Sequence, residues 1–468
     1  MIKTTLSPSR IRAGIALLVI GFCATGGAGV AAESRPAPLP EELFPELKEI
    51  LRQALQQSPQ MMLKNIELAQ SEANRMTMVA QMLPNIGTSV SYNVSDAAVS
   101  ANTSVKSRSS GLFYSASLSQ PVYRWGTLQA QADAAKIQLS ISQRNFAEAY
   151  RQLALSTRNQ YLGLVAKKIT WRNAEATRER TAFSLSLEES KLQYGRISQS
   201  DIIAPRLEME EARLRADRAA EDLAMAKRYF SRLTGLAELG DDAIPERIPE
   251  ISYDPATATA MAQTFLGQGW ESNPAILSAR DWVKVAELNY KTAKYRLYPM
   301  FAFGASIAQS NSTSASQSAV SQVGVLSKYL GVSASWTIFD GRATKAAQIS
   351  ARANQRYYER LLQNQTDTLL DQVRSMERQL AFSYRAMQLA ETRNTQAEAA
   401  VRQRQDEAQQ GLSSQVAVDA ALASQDLYRL LLLNQRLDFL SRWSEFVSTV
   451  ETDPVLQFLP AKLKSNVR

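Results

Sequence analysis

The chain has 468 residues, of which 45% are hydrophobic and 21% charged, with a formal charge of +8, a single cysteine and no histidine. This is the composition of a folded protein; it excludes imidazole catalysis, histidine-ligated metal and a disulfide framework. There is no block of five or more basic residues, which argues against nucleic acid as a partner.

Residues 1–32 read as a secretory signal peptide. Lys3, Arg10 and Arg12 form its positive start, AGIALLVIGFCA an apolar stretch too short to span a bilayer as a helix, and VAA (30–32) the small residues before a cut. Cys23 lies inside this segment, so the mature chain carries no thiol. A lipid-modified cysteine would follow a small residue, whereas Phe22 precedes this one. Residues 33–45 contain Pro36, Pro38, Pro40 and Pro45 and are expected to form an extended arm. No later run of 18 apolar residues occurs, so no transmembrane helix is expected.

Two repeats follow, expected at 46–235 and 274–450, separated by a Gly-, Pro- and acid-bearing linker at 236–273 and followed by a tail at 451–468. Pro59 matches Pro274, Pro84 matches Pro299 and Gly126 matches Gly341, each 215 residues apart. Tyr123 and Phe339, Gly195 and Gly411, and Ser198 and Ser414 are 216 apart, with Arg124-Trp125 taken to stand in place of Asp340. Ordered matches at one spacing indicate internal duplication.

Each repeat reads helix, strand, loop, strand, long helix, break, helix. The strands are predicted at about 84–95, 111–123, 299–309 and 328–339 from strict alternation. One face carries Ile86, Val90, Tyr92, Leu112, Tyr114, Leu118, Phe301, Phe303, Val332, Trp336 and Ile338. The other carries Ser, Gly and Ala rather than the long charged side chains of a solvated sheet face. A soluble sheet with one buried face would alternate in the same way. The small, polar second face fits strands crossing a membrane around an aqueous lumen, with the Ser/Ala/Asn-rich loops on one side and all helices on the other. Four strands cannot close a barrel, so several chains must contribute four each.

Residues 127–194 hold no proline and one glycine, and residues 342–410 hold neither; each is expected to be a helix of roughly 100 Å. Leu128, Ala132, Ala135, Leu139, Ser142, Phe146, Ala149 and Leu153 form a heptad seam rich in small residues. A solvated coiled coil and a ring of helices around water both fit. The helices break at YGRISQSD (194–201) and QGLSSQVAVD (410–419). Gly195 and Gly411 stand at C-cap positions, with Ser198 or Ser200 and Ser413 or Ser414 at the next N-caps. The strand-to-helix junctions fall at Gly126 and Gly341, and the reverse junctions at Pro84 and Pro299.

The stretches LPNIGTSVSYNV, SLSQPVYRWG, YGRISQSD and LTG, with their second copies YPMFAFGAS, SASWTIFDG and QGLSSQ, resemble the TolC-like outer-membrane efflux proteins over nearly the whole mature chain. The resemblance implies a mainly α fold with membrane β: a homotrimer with a shared β-barrel set in outer-membrane lipid above an α-barrel tunnel. It also implies a passive exit duct of a tripartite efflux or type I secretion system in a Gram-negative outer membrane, docking a periplasmic adaptor and an inner-membrane pump of RND, ABC or MFS type, without cofactor or metal. By matching, the adaptor-docking tips are Gly195, Arg196 and Ser198, and Gly411, Ser413 and Ser414. The tunnel entrance falls at Asp201 and Asp419. Family members can carry an acid six residues after the tip glycine; Asp201 fills that place in the first copy, Ala417 in the second. Some carry an arginine two residues after the second tip glycine as an ionic latch, where this chain has Ser413, so closure would rest on other groups. An exported structural coiled-coil protein, such as a filament or surface-layer subunit, is the alternative.

Overall fold

The computed structural model describes residues 37–100, 104–315, 320–450 and 453–459; the signal segment and Cys23 lie outside them. In chain order the described elements are helices α1 (Pro40–Leu43), α2 (Pro45–Gln57) and α3 (Pro59–Ala80), strands β1 (Asn85–Ser100) and β2 (Ser104–Tyr123), helices α4 (Thr127–Gln193) and α5 (Ile203–Thr234), α6 (Pro255–Gly267), α7 (Pro274–Lys294), strands β3 (Met300–Ala315) and β4 (Val320–Ser335), and helices α8 (Ala343–Gln409) and α9 (Gln415–Val450). α4 and α8 are each 67 residues long, roughly 100 Å at 1.5 Å per residue.

The four strands form one antiparallel sheet in the order β1-β2-β3-β4, leaving β1 and β4 as edges. They are 16 to 20 residues long against an expected ten or so. Much of what reads as loop continues the ladder: Asp96 to Ser100 pair with Arg108 to Ser104, and Ser310 to Ala315 pair with Val325 to Val320. The other end is shorter than expected. β4 stops at Ser335, so Trp336 and Ile338 lie past the strand.

Three further differences concern segments without strong periodicity. The arm is not extended throughout: Pro40 opens the short helix α1, and Ala37, Leu39 and Phe44 are buried. The first helix is two, because Pro59 follows Ser58, whose extended ψ of 131° separates α2 from α3. The linker contains α6, started by Asp254, whose carboxylate accepts the Ala256 N–H, and by Pro255 in the first turn.

The main core lies at the waist, midway along α4. Trp443, Phe439, Phe446, Tyr161 and Phe230 are fully buried there. The linker enters this core through Ile244, Ile248 and Ile251, and through the Tyr253 ring, packed 4.8 Å from Tyr384 and 5.0 Å from Phe439. Lys168 of α4 holds the linker by donating to the Asp241 and Ile244 carbonyls, both at 2.7 Å; Arg436 of α9 holds it through the Ile248 carbonyl.

Candidate functional site

The two helical tips share one backbone design. In the first, the Gly195 N–H donates to Leu192 O and the Arg196 N–H to Lys191 O; in the second, Gly411 donates to Ala408 O and Leu412 to Glu407 O. These paired bonds satisfy the last carbonyls of α4 and α8 and require a left-handed residue, supplied by glycine at φ 67° and 72°. The N-caps then diverge. Ser414 caps α9, its Oγ accepting the Ala417 N–H at 3.3 Å. In the first tip neither Ser198 nor Ser200 is the N-cap: that position falls at Ile202, which offers no side-chain cap. Asp201 instead reaches back to accept the Ser198 N–H at 2.8 Å and its hydroxyl at 2.7 Å, closing the turn ahead of the helix. These bonds hold the Asp201 carboxyl below its ordinary range. Pro205 cannot donate to the carbonyl four residues back, so regular helix begins only at Ile203. Ser413, the other N-cap candidate, precedes the cap. Asp419 is exposed on α9 and accepts from Gln415.

Around the tips stand exposed apolar side chains that the glycine and serine matches did not bring out: Tyr194 at 79%, Leu412 at 76% and Val416 at 76% exposure. Fifteen residues from each tip glycine, Arg180 of α4 pairs with Asp426 of α9. This pair of sequence-distant residues has no signature in the chain.

The sheet keeps its two textures. Cross-strand rows place Ile86 opposite Leu118, Leu118 opposite Ala305 and Ala305 opposite Leu330 on one face. Val90–Tyr114 and Tyr92–Leu112 are further rows of that face, as is Phe303–Val332. An irregularity between Pro121 and Tyr123 brings Tyr123 opposite Phe301, and so onto the apolar side in place of Val122. The apolar run drifts across the sheet, from Ile86–Val94 on β1 to Phe301–Ile307 on β3, as inclined strands require. Lys328, opposite Ile307, therefore falls at its loop-ward margin. On the other face Gly304 and Gly331 leave room for the Tyr329 ring.

The junctions correct the sequence alignment. Each holds two consecutive left-handed residues, Trp125 (φ 55°) and Gly126 (φ 71°) in the first, Gly341 (φ 64°) and Arg342 (φ 72°) in the second. Helices start at Thr127 and Ala343, so Gly126 corresponds to Arg342 and Gly341 to Trp125, at a spacing of 216. Nothing is deleted at Asp340. The glycine has moved by one position because either member of the pair relieves the turn. The spacing changes instead between the strands, where three residues separate β1 from β2 and four separate β3 from β4. Pro84 and Pro299 immediately precede β1 and β3.

At the waist, Arg158 is fully buried and binds both ends of the described chain. Its Nε donates to Glu41 at 2.9 Å, and its Nη1 and Nη2 donate to Asp453 at 2.6 and 2.9 Å. The indole of Trp443 donates to Ala37 O nearby. The segment read as a tail thus supplies a buried carboxylate. Among the described residues no group of His, Cys, Asp and Glu is placed to hold a metal.

A family profile described as outer membrane efflux protein matches residues 50–236 and 266–446. The chain is similar in structure to the Campylobacter jejuni CmeC outer membrane channel, with 13% identity, a TM-score of 0.70 and coverage of 97% of this chain and 98% of that one. The outer membrane protein VceC of Vibrio cholerae aligns with 17% identity, a TM-score of 0.61 and coverage of 88% and 97%. The open state of the Neisseria gonorrhoeae MtrE outer membrane channel aligns with 14% identity, a TM-score of 0.60 and coverage of 87% and 89%. Among curated protein sequences nothing matches.

Proposed function

Because the chain belongs to the outer membrane efflux protein family, we propose that it is the exit duct of an envelope-spanning export assembly. It is a passive outer-membrane channel with a periplasmic helical tunnel, not an enzyme, and its chains share one trimeric barrel. The observation that carries the duct reading is the four-stranded sheet with one apolar face and two free edges, mounted on helices of 67 residues. β1 and β4 run antiparallel to each other, so β4 of one copy continues onto β1 of the next without a change of ladder type, and no edge is left in lipid.

In this reading Ile86, Val90, Tyr92, Leu112, Tyr114, Leu118, Phe301, Phe303 and Val332 face lipid, while the Ser/Gly/Ala side lines the lumen. Trp336 and Ile338 sit at the periplasmic margin, and Lys328 reaches from the outer margin toward headgroups. The turns at Gly195–Ser198 and Gly411–Ser414, with exposed Tyr194, Leu412 and Val416, are the docking face for a periplasmic adaptor, which links the duct to an inner-membrane pump. Asp201 and Asp419 lie at the tunnel entrance. The Arg180–Asp426 pair serves as the latch that Ser413 cannot provide.

Cross-linking in intact cells, then detergent extraction and mass spectrometry, tests the assembly. Recovery with an adaptor and a pump is expected; recovery of this chain alone, without need of detergent, overturns the reading. The facing assignment has its own test. Leu330→Arg should cost about 2–4 kcal/mol at the middle of the apolar band, whereas Ser333→Arg on the lumenal side should leave assembly intact. Equal damage to heat-resistant trimer yield would refute it.

A further inference from the structure

The strand–helix junctions carry a charge pattern that the duct function does not use. Arg124, Lys291, Lys294, Arg296, Arg342 and Lys345 cluster at the helical margin of the apolar band. None of the six is in an ion pair among the described residues; along the helical shafts some arginines pair with an acid one turn away, as Arg178 does with Glu175 and Arg374 with Asp371, while others, such as Arg213, Arg218 and Arg232, do not, so it is the grouping of the six at one margin that sets them apart. Asp340 is the one acid within 120–132, 288–300 and 336–350, with Asp133 and Glu287 just beyond these stretches; it caps α8 through the Thr344 N–H and hydroxyl, and the nearby Arg296 charge helps to hold it ionised, so one acid stands against the six cations. The Nε of Arg124 is buried with no hydrogen-bond partner.

The cations adjoin an aromatic cluster that continues the apolar face. Tyr123, opposite Phe301 on that face, packs 5.1 Å from Trp125, which packs 4.8 Å from Tyr298 and lies stacked on Tyr295. The Lys294 ammonium sits 5.5 Å over the Tyr295 ring. Lys291, one turn earlier on α7, places its Nζ 3.5 Å from where a Cβ on Gly126 would stand. In the second repeat Trp336, whose indole donates to Leu297 O, and exposed Phe339 precede Arg342 and Lys345. Lys291 and Lys294 also oppose the C-terminal dipole of α7, but the dipole accounts for neither Arg124 nor the cations at the start of α8.

We infer that this collar binds acidic phospholipid in the leaflet nearest the helices. The aromatic rings lie at the glycerol level and the unpaired cations take the phosphates. The inference rests on the barrel-in-lipid reading, and charge complementarity with continuity from the apolar band selects a lipid as the occupant.

The test is native mass spectrometry of the full-length trimer in detergent, titrated with phosphatidylglycerol or phosphatidylethanolamine. The unsubstituted protein should prefer phosphatidylglycerol, and Lys294→Gln alone should reduce that preference about fivefold. K291Q/K294Q/R342Q should abolish it. R213Q/R218Q/R232Q, which removes the same charge from α5, should leave it unchanged, and the charge-retaining K291R/K294R/R342K should keep it even where the glutamine triple fails to assemble. No preference in the unsubstituted trimer, or equal loss from the α5 control, would overturn the proposal. Failure of the barrel reading would look different: a chain that stays dispersed without detergent.

Discussion

α4 and α8 occupy the same place in the two repeats and have the same length, yet α4 buries twenty side chains and α8 only eight. The difference lies in what surrounds them. α4 packs against α2, α3, α5, α7 and α9 of its own chain; α8 has α6, α7 and α9. α4 can therefore bury Arg144, Arg158 and Lys168, each held by partners within the chain. α8 instead leaves Ile349, Tyr357, Phe382 and Leu389 more than half exposed. Two copies of one unit have become an axis and a flank. α4 is the helix around which one subunit folds, and α8 is the face that a neighbouring copy would cover in the proposed trimer.

The largest effect should come from breaking the axis. Arg158→Ala leaves Asp453, whose side chain is 1% exposed, and Glu41 without their cation; an uncompensated buried charge costs about 3–5 kcal/mol. Thermal unfolding of the extracted protein should show the loss, with the first and last described segments released from α4. The same network sets an acid limit. Burial by itself would raise the Asp453 carboxyl, but the Arg158 hydrogen bonds and charge outweigh it and hold the group below its ordinary value of 3.8. A lowered carboxyl stabilises fully above that ordinary value, and the contribution drains away as pH falls through the lowered one. Unfolding midpoints should thus be flat near neutrality and fall below about pH 4; in Asp453→Asn that acid-side decline should be weaker.

Breaking the flank should do something different in kind. Phe382→Asp places a charge on a side chain that is 66% exposed in the single chain, so the chain should fold with unchanged helicity. Association should weaken by about 2 kcal/mol per interface, the scale of one aromatic anchor, seen as conversion of trimer to monomer on semi-native gels. Loss of helicity in step with loss of trimer would mean that α8, like α4, belongs to the subunit's own core.

Periodicity reveals both helices, the four strands and the duplication, because spacing alone carries them. It does not reveal the asymmetry. On α5, Leu207 and Leu214 share one side and Leu223 and Phe230 the opposite one, because nine residues, half a turn out of step, separate Leu214 from Leu223. Leu223 and Phe230 join the waist core, while Leu207 and Leu214 are 61% and 70% exposed; nothing local says which side the rest of the chain will cover. Arg158 is silent for a related reason, since its partners are 117 and 295 residues away and nothing local marks it. The tip turns are legible in their glycines and the second cap in Ser414, but the first N-cap falls at Ile202 and not at Ser198 or Ser200, because Pro205 delays the helix and Asp201 folds back on Ser198. The junction glycines misled by one position because two adjacent residues share the left-handed turn.

A smaller effect should separate the two tips. Asp201→Ala removes the carboxylate that closes on Ser198, while the matched position in the second copy is already Ala417. Amide exchange should speed up around 198–203 and stay unchanged around 414–418. Ala417→Asp should slow exchange at the second tip if this closure is transferable. Equal response at both tips would show that the glycine turns, not the caps, set tip order.

The smallest change in stability should have the clearest functional readout. Arg180 and Asp426 bind α4 to α9 below the waist with side chains 47% and 26% exposed, so the pair contributes no more than about 1 kcal/mol. Asp426→Asn should leave thermal unfolding and trimer yield nearly untouched. If the pair restrains the flank against the axis, the variant should open more often and conduct more in planar bilayers. High salt should narrow the gap between variant and unsubstituted protein, because screening weakens the ion pair in the latter alone. An unchanged conductance would place the restraint elsewhere, and the asymmetry between α4 and α8 would then describe only how the subunit is assembled, not how the duct is closed.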